Sequence, residues 1–153
     1  MEERDVGQKS QVLGPHPVDY PRMLARRPFE LKGPYRQDGL FRLQEWVANH
    51  DALNLTLEEA ARIACLERHY FSNKFTERVG QSFREWRSRY RIAWAVQAIA
   101  TGEHSIAEVI YRAGYKDRRA FERTVKRLTG VTPGCLQRYA RAERHVSPGR
   151  ADP

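Results

Sequence analysis

Two arginines at helical spacing offer the clearest binding chemistry in this sequence. Arg119 and Arg123 lie four residues apart and share one face of a helix predicted over 118–129. A guanidinium group can donate two hydrogen bonds to O6 and N7 of guanine. Glu122, on the same helix, can accept a hydrogen bond from N4 of cytosine or hold a neighbouring arginine. The residue types in this stretch therefore suit contact with nucleic-acid bases.

A second helix, predicted over 68–79, carries a different set of polar groups. Phe71, Phe75 and Val79 repeat every four residues and predict its buried side. The polar residues left on the outward side are His69, Ser72, Asn73 and Thr76. Asn73 is the most informative of them, because an asparagine amide can bond N6 and N7 of adenine together.

Residues with the spacing of a catalytic or metal site are missing from the sequence. The histidines fall on separate predicted elements: His16, His50, His69, His104 and His145. Cys65 and Cys135 are too few for a disulfide framework or a four-cysteine zinc site, and their apolar-periodic surroundings predict two small buried residues. We therefore expect a protein that is not an enzyme and that holds no cofactor and no metal.

The composition describes a basic chain that can build a core. The 153 residues suit one compact domain or two small ones, and 41% of them are hydrophobic. Lys and Arg outnumber Asp and Glu by 27 to 19, which favours an anionic partner, most often nucleic acid. The apolar runs are too short to cross a membrane, and the N-terminus has no apolar signal region. We expect a cytoplasmic, nucleoid-associated protein with no membrane partner.

The chain divides into an arm, a helical domain and a tail. Residues 1–37 carry five of the eight prolines and predict an extended or partly disordered arm, whereas residues 143–153 predict a flexible tail. Between them, over 38–142, the pattern is helical throughout, which predicts an all-α fold. The seven predicted helices span residues 40–50, 56–64, 68–79, 83–101, 106–113, 118–129 and 133–142.

Helix-start signals support these bounds. Three capping boxes are predicted, Thr56 to Glu59, Ser82 to Glu85 and Ser105 to Glu108. Asp117 is a predicted N-cap, and Thr132 followed by Pro133 marks a further start.

An internal repeat organises the helices. Residues 56–80 and 105–130 both read as a capped short helix, a tight turn and a second helix with a polar face, which is a helix-turn-helix. The long helix 83–101 joins the two copies and, at about 1.5 Å per residue, spans roughly 28 Å. The second helix of the first motif and the second helix of the second motif are then expected to lie about 34 Å apart, which is one turn of DNA.

These features resemble a known family. Residues 40–140 closely resemble the DNA-binding domain of the AraC/XylS transcription regulators, above all in Ser105-Ile-Ala-Glu-Val-Ile-Tyr-Arg-Ala-Gly-Tyr115 and in the Gly-Val-Thr-Pro ending at Pro133. The chain departs from the family pattern at Cys65, Lys74, Val125 and Leu136, so the first motif is the less typical one.

The resemblance implies which residues meet DNA. The second helix of each motif would enter the major groove. Base contacts are expected at His69, Ser72, Asn73, Arg118, Arg119, Glu122 and Arg123. Apart from the resemblance, phosphate contacts are expected at the basic residues Arg84, Arg87, Arg91 and Lys126. They are also expected at the helix starts Ser82 and Thr132, for which capping alone is the alternative.

The function expected is a sequence-specific, DNA-binding transcription regulator. The resemblance implies an activator that contacts RNA polymerase and acts as a monomer on double-stranded DNA, and residues 1–37 are too short for a small-molecule effector domain. The alternative is a protein-interaction adaptor whose helical domain adds little specific DNA affinity. A DNA-binding titration without the arm separates the two, since a DNA reader keeps its affinity.

Overall fold

A computed structural model describes residues 29–31 and 38–146, and these residues form seven α-helices and no strand. The helices are α1 (Gly39–Asn49), α2 (Leu57–Ile63), α3 (Arg68–Val79), α4 (Phe83–Thr101), α5 (Ile106–Arg112), α6 (Arg118–Thr129) and α7 (Pro133–Val146). The predicted all-α fold is confirmed. The predicted helix bounds agree with these to within one residue, except at the end of α7.

Side-chain caps begin the helices, as the sequence predicts. The first capping box is complete, since Thr56 Oγ1 accepts from the Glu59 amide at 3.2 Å and Glu59 Oε2 accepts from the Thr56 amide at 2.9 Å. Ser82 and Ser105 also accept from the amide three residues on, at 3.2 Å in both cases. The glutamates of those two boxes pair with arginines instead of returning to the cap, so the second and third boxes are half-formed.

The first helix-turn-helix is built on an aromatic core. Phe71 and Phe75 of α3 are fully buried against Phe83 and Trp86 in the first turn of α4. Ring centroids in this group lie about 5–6 Å apart, mostly in edge-to-face or tilted arrangements that aromatic pairs prefer. This packing fixes α3 against α4.

Phe29 belongs to this core, although it falls within the predicted arm 1–37. Its ring is 4% exposed and lies 4.8 Å from Phe75 and 5.5 Å from Trp86, and its carbonyl accepts from Gln44 Nε2 at 2.6 Å. Residues 29–31 therefore form part of the folded domain. The rest of the predicted arm, 1–28 and 32–37, lies outside the described residues.

The second helix-turn-helix has a separate, mostly aliphatic core. Ile92, Val96 and Ile99 of α4 pack with α5 and α6, where Phe121 and Val125 are fully buried. Trp94 is partly buried and packs against both cores. The central helix therefore belongs to the first core along its N-terminal half and to the second along the remainder.

The end of α7 corrects the predicted boundary at 142. The helix continues to Val146, because its outer turns still contact α4. Arg144 Nη1 donates to the Ala100 carbonyl at 2.8 Å, and Ala140 is buried. Residues 147–153 of the predicted tail lie outside the described residues.

The turns of the two motifs have the same geometry. Cys65 and Gly114 both have a positive φ, of 55° and 76°, and the residue after each donates to a carbonyl five residues back. This conformation turns the Cys65 side chain outward, so Cys65 is exposed, and Cys135 is half-buried. The prediction that both cysteines are buried is wrong, because apolar periodicity does not show which side chains a turn directs away from the core.

Each copy of the repeat includes one helix more than the two that the sequence predicts for residues 56–80 and 105–130. At the same offset of 49 residues, α1 corresponds to the second half of α4, and the pairs Leu43 with Ile92 and Val47 with Val96 are buried in both copies. Each copy is therefore a three-helix unit, and α4 closes the first unit while it begins the second. None of the described helices is both long enough and apolar enough to cross a membrane.

Candidate nucleic-acid interface

Helix α3, the first helix expected to contact bases, exposes its N-terminal half. Glu67 caps it, accepting from the His69 and Tyr70 amides at 2.9 and 3.1 Å, and these bonds hold the pKa of Glu67 below its usual range. Phe71 and Phe75 face the core. The exposed residues of this half are Arg68, His69, Tyr70 and Asn73. The predicted base-reading residues His69 and Asn73 thus lie on solvent-facing positions of one helix.

Ser72 and Tyr70 refine this surface. Ser72 is partly buried, and its hydroxyl donates to the Arg68 carbonyl at 3.1 Å, which leaves its oxygen as an acceptor. Tyr70 is 54% exposed, with Lys74 Nζ 3.4 Å from its hydroxyl. Sequence reasoning missed Tyr70, although its place directly before the buried Phe71 could have shown that it points outward.

Helix α6, the second helix expected to contact bases, begins at the predicted cap. Both carboxylate oxygens of Asp117 accept backbone amides, from Arg119 and Ala120, at 3.1 Å each. Arg118 Nε donates to Glu122 Oε1 at 2.8 Å, one turn away. Glu122 therefore holds Arg118, which is one of the two roles expected of it, and its base contact stays a prediction.

Arg119 and Arg123 face solvent, one turn apart, while Phe121 and Val125 on the opposite side are fully buried. The core therefore fixes the rotation of the helix and with it the direction of both guanidinium groups. Two exposed arginines at this spacing can each reach a guanine edge in the major groove.

Four of the predicted phosphate-contact residues lie on the surface. Ser82 and Thr132 are exposed caps at the starts of α4 and α7, where Thr132 Oγ1 accepts from the Cys135 amide at 3.3 Å. Arg84 and Lys126 are exposed as well. Exposed amides at a helix start and nearby cations both favour an anion.

The other two arginines point into the protein. Arg91 Nε donates to the Leu53 carbonyl at 2.7 Å, and Arg87 Nη1 donates to the Leu55 carbonyl at 3.3 Å. Both side chains are partly buried, and burial lowers the pKa of Arg91. Arg91 therefore has an internal partner, a carbonyl of the loop before α2, and its phosphate contact stays a prediction.

A shallow groove of about 420 Å³ separates the start of α2 from α3 and the first turn of α4. Hydroxyl and guanidinium groups make up most of its polar lining: Thr56, Ser72, Thr76, Ser82, Arg68, Arg84 and Arg87. Glu58 also lines it and pairs with Arg68 at 3.2 Å. Hydroxyls and cations beside a reading helix provide the groups that contact a sugar-phosphate backbone.

This geometry agrees with the similarity of the chain to known proteins. A family model described as a helix-turn-helix domain matches residues 60–139, which include most of the first motif, all of α4 and the second motif. The chain is also 27% identical over 88 residues, 58% of this chain and 29% of the relative, to a putative AraC-like transcription regulator of Streptomyces lividans. The chain belongs to the AraC family. The domain is that of a DNA-binding transcription regulator.

Two curated relatives show the extent of the match. The chain is 33% identical over 88 residues to the uncharacterized transcriptional regulator YtdP of Bacillus subtilis, and 30% identical over 90 residues to the arabinose operon regulatory protein of Escherichia coli. Each match covers 58% of this chain, but 11% of the first relative and 31% of the second. The chain therefore spans a third or less of these two proteins.

A solved structure shows the same fold. The C-terminal domain of AraT, a response regulator from Geobacillus stearothermophilus, aligns with a TM-score of 0.55 and 23% identity. The alignment covers 74% of this chain and 89% of the AraT domain.

Proposed function

We propose that this AraC-family chain binds double-stranded DNA by placing α3 and α6 in two successive segments of the major groove. The observation that carries the proposal is the pair of capped helices, each with a buried aromatic side and an exposed polar N-terminal half, held on one continuous α4. A continuous helix of 19 residues spans roughly 28 Å, which is comparable with one turn of DNA. One chain thus supplies both readers.

The two helices carry different chemistry, so the site they read is asymmetric. Arg119 and Arg123 on α6 suit guanine. Arg118 is a third base contact on this helix, and its bond with Glu122 holds its guanidinium group in place. Asn73 on α3 suits adenine, with His69 and Ser72 beside it on the same turns. Phosphate contacts from Ser82, Arg84, Lys126 and Thr132 set the register.

We further infer that the bound chain activates transcription by contacting RNA polymerase, as the resemblance of residues 40–140 implies. Transcription in vitro from a promoter bearing the selected site should increase when the protein is added. A decrease with unchanged DNA affinity would make the chain a repressor.

Single-residue truncation on a selected site tests the DNA proposal. Selection from random duplexes yields the bound sequence, and fluorescence anisotropy then compares that duplex with random DNA. Arg123→Ala should cost about 1–3 kcal/mol on the selected duplex and relax the preference at one base pair. The cost arises because the guanidinium bonds to one base edge are lost.

Lys126→Ala is the matched control on the same helix. As a phosphate contact it should weaken binding to selected and random duplexes alike and lower the salt slope by about one. Equal weakening of both duplexes by Arg123→Ala would reassign Arg123 to the phosphates. Failure of selection to enrich any sequence would contradict the DNA-reading function and support the adaptor.

A further inference from the structure

Arg91 lies between the two helix-turn-helix units. It stands in the middle of α4, and its Nε donates at 2.7 Å to the Leu53 carbonyl, in the loop that leads into α2 of the first unit. On its other side, the guanidinium lies against Gly114, in the turn of the second unit. A Cβ at that glycine would lie 2.9 Å from both Cζ and Nη2 of Arg91.

The close approach depends on the absence of a side chain at Gly114. With φ of 76°, this turn favours glycine, and a methyl group there would meet the guanidinium at a distance that real Cβ atoms essentially never show. Arg91 therefore contacts the Leu53 carbonyl of the first unit and the backbone of the turn at Gly114 in the second unit. The Arg91 side chain is half-buried at this place.

The corresponding residue of the first unit makes a different contact. Arg42 precedes Arg91 by the repeat offset of 49 residues, and its Nη1 lies 3.0 Å from Cys65 Sγ, at the turn that corresponds to Gly114. That contact joins two parts of one unit. Arg91 repeats the approach to the turn and adds a hydrogen bond to the neighbouring unit.

A second contact spans the units nearby. Glu85, in the first turn of α4 beside the first core, accepts from Arg127 Nη1 at 3.0 Å and from Nη2 at 3.5 Å, and Arg127 lies in the last turn of α6. These bonds are the main cause that lowers the pKa of Glu85. This contact is exposed, so solvent and salt screen it.

We propose that Arg91 is a positioning residue that fixes the placement of α3 relative to α6, and so the spacing of DNA segments that the chain accepts. This inference rests on the proposed function for its consequence on DNA, but its structural part does not. A continuous helix alone permits bending and twisting between the units, whereas a side chain wedged against both removes that freedom.

The first experiment measures the placement without DNA. Spin labels at Glu77→Cys on α3 and Lys126→Cys on α6, in a chain with Cys65→Ser and Cys135→Ser, report the distance distribution between the helices by pulsed electron resonance. Arg91→Met should broaden that distribution or shift its centre, while Arg84→Met, an exposed arginine on the same helix, should not. An unchanged distribution in Arg91→Met would overturn the proposal, whatever the chain does to DNA.

The second experiment measures the consequence on DNA. Duplexes carry the two selected segments at their native spacing, at spacings changed by one or two base pairs, or one segment alone. Arg91→Met should lose about tenfold on the native spacing, yet bind single segments as the unaltered chain does, because fixed placement makes the second contact intramolecular. The preference for one spacing should flatten.

The variants separate this role from the alternatives. If Arg91 contacted a phosphate, Arg91→Met would weaken binding to every duplex alike and lower the salt slope, as is expected of Lys126→Ala. This result would overturn the proposal. Arg91→Lys keeps the charge and provides a second variant if Arg91→Met unfolds. It too should flatten the spacing preference, because an ammonium group lacks the planar fork that lies against Gly114.

Discussion

The Cys135 thiol lies in the first turn of α7, close to a hydroxyl and a guanidinium group. Hydrogen bonding with the Thr132 side chain is the largest cause that lowers the pKa of Cys135, and Arg138, with Nη2 3.2 Å from Sγ, adds to it. The thiolate is the reactive form of cysteine. We therefore expect Cys135 to react more readily than an ordinary surface thiol near neutral pH.

Alkylation measures this reactivity. The rate of iodoacetamide labelling at Cys135, followed by mass spectrometry in a Cys65→Ser chain, should reach half its maximum below the ordinary thiol pKa of about 8.5. Arg138→Met should move that midpoint to higher pH, since it removes a positive charge and a donor. Arg141→Met, an exposed arginine on the same helix, is the control and should leave it in place. A midpoint at or above the ordinary value would contradict the role of these neighbours.

At this scale, local contacts were predictable and distant ones were not. The Asp117 cap and the Glu122 contact with Arg118 join residues within four positions, so the sequence shows them directly. The Arg91 bond to Leu53 joins residues 38 apart, and periodicity alone could not show that a carbonyl would be there. The sequence therefore predicts a phosphate contact at Arg91 from its charge and does not show its internal partner.

Among the elements, the short segment 29–31 contributes one buried aromatic ring, that of Phe29, to the first core. Phe29 fills a gap between α3 and α4 in the first core, where its ring touches Phe75 and Trp86 edge-on. The helices themselves were predictable, because caps and apolar periodicity define them locally. The docking of Phe29 was not, since no periodic pattern surrounds it and the prolines nearby favour an extended chain.

Truncation of Phe29 tests the contribution of this segment. Phe29→Ala should lower the free energy of unfolding by about 3–5 kcal/mol, because it removes a buried ring and leaves a cavity. Urea denaturation measures the change. Glu30→Ala, at the exposed neighbouring position, is the control. If Phe29→Ala and Glu30→Ala unfolded at the same urea midpoint, the segment would be dispensable to the fold.

At the scale of the whole molecule, the two helices proposed to read DNA, α3 and α6, belong to one chain with a net charge of +8. The excess of positive charge attracts any duplex, whereas the specificity of the proposed function rests on the spacing of α3 and α6. The division into two motifs and a joining helix was predictable from the repeat. That α1 belongs to the first unit as α4 belongs to the second became visible in the packing.

Insertion of base pairs between the two DNA segments tests the shared scaffold. Five added base pairs rotate one segment by about half a turn to the far side of the duplex. Because α4 is continuous, one chain cannot then reach both, and affinity should fall to that of a single segment, as measured by anisotropy. Ten added base pairs are the control for length. Unchanged affinity with five added would mean that one motif alone touches bases, and a symmetric footprint with two chains would contradict reading by one chain.

The double membership of α4 also bears on how such a protein can diverge. Nine of its 19 residues are buried, three of them in the first core and six in the second, so an inherited change at most positions of its buried side disturbs the packing of a unit. The exposed halves of α3 and α6 contribute little to either core, so Asn73 or Arg123 can be replaced with little effect on packing. Lineages that start from this scaffold can therefore acquire new target sites by substitutions on two short surfaces, while the central helix is retained.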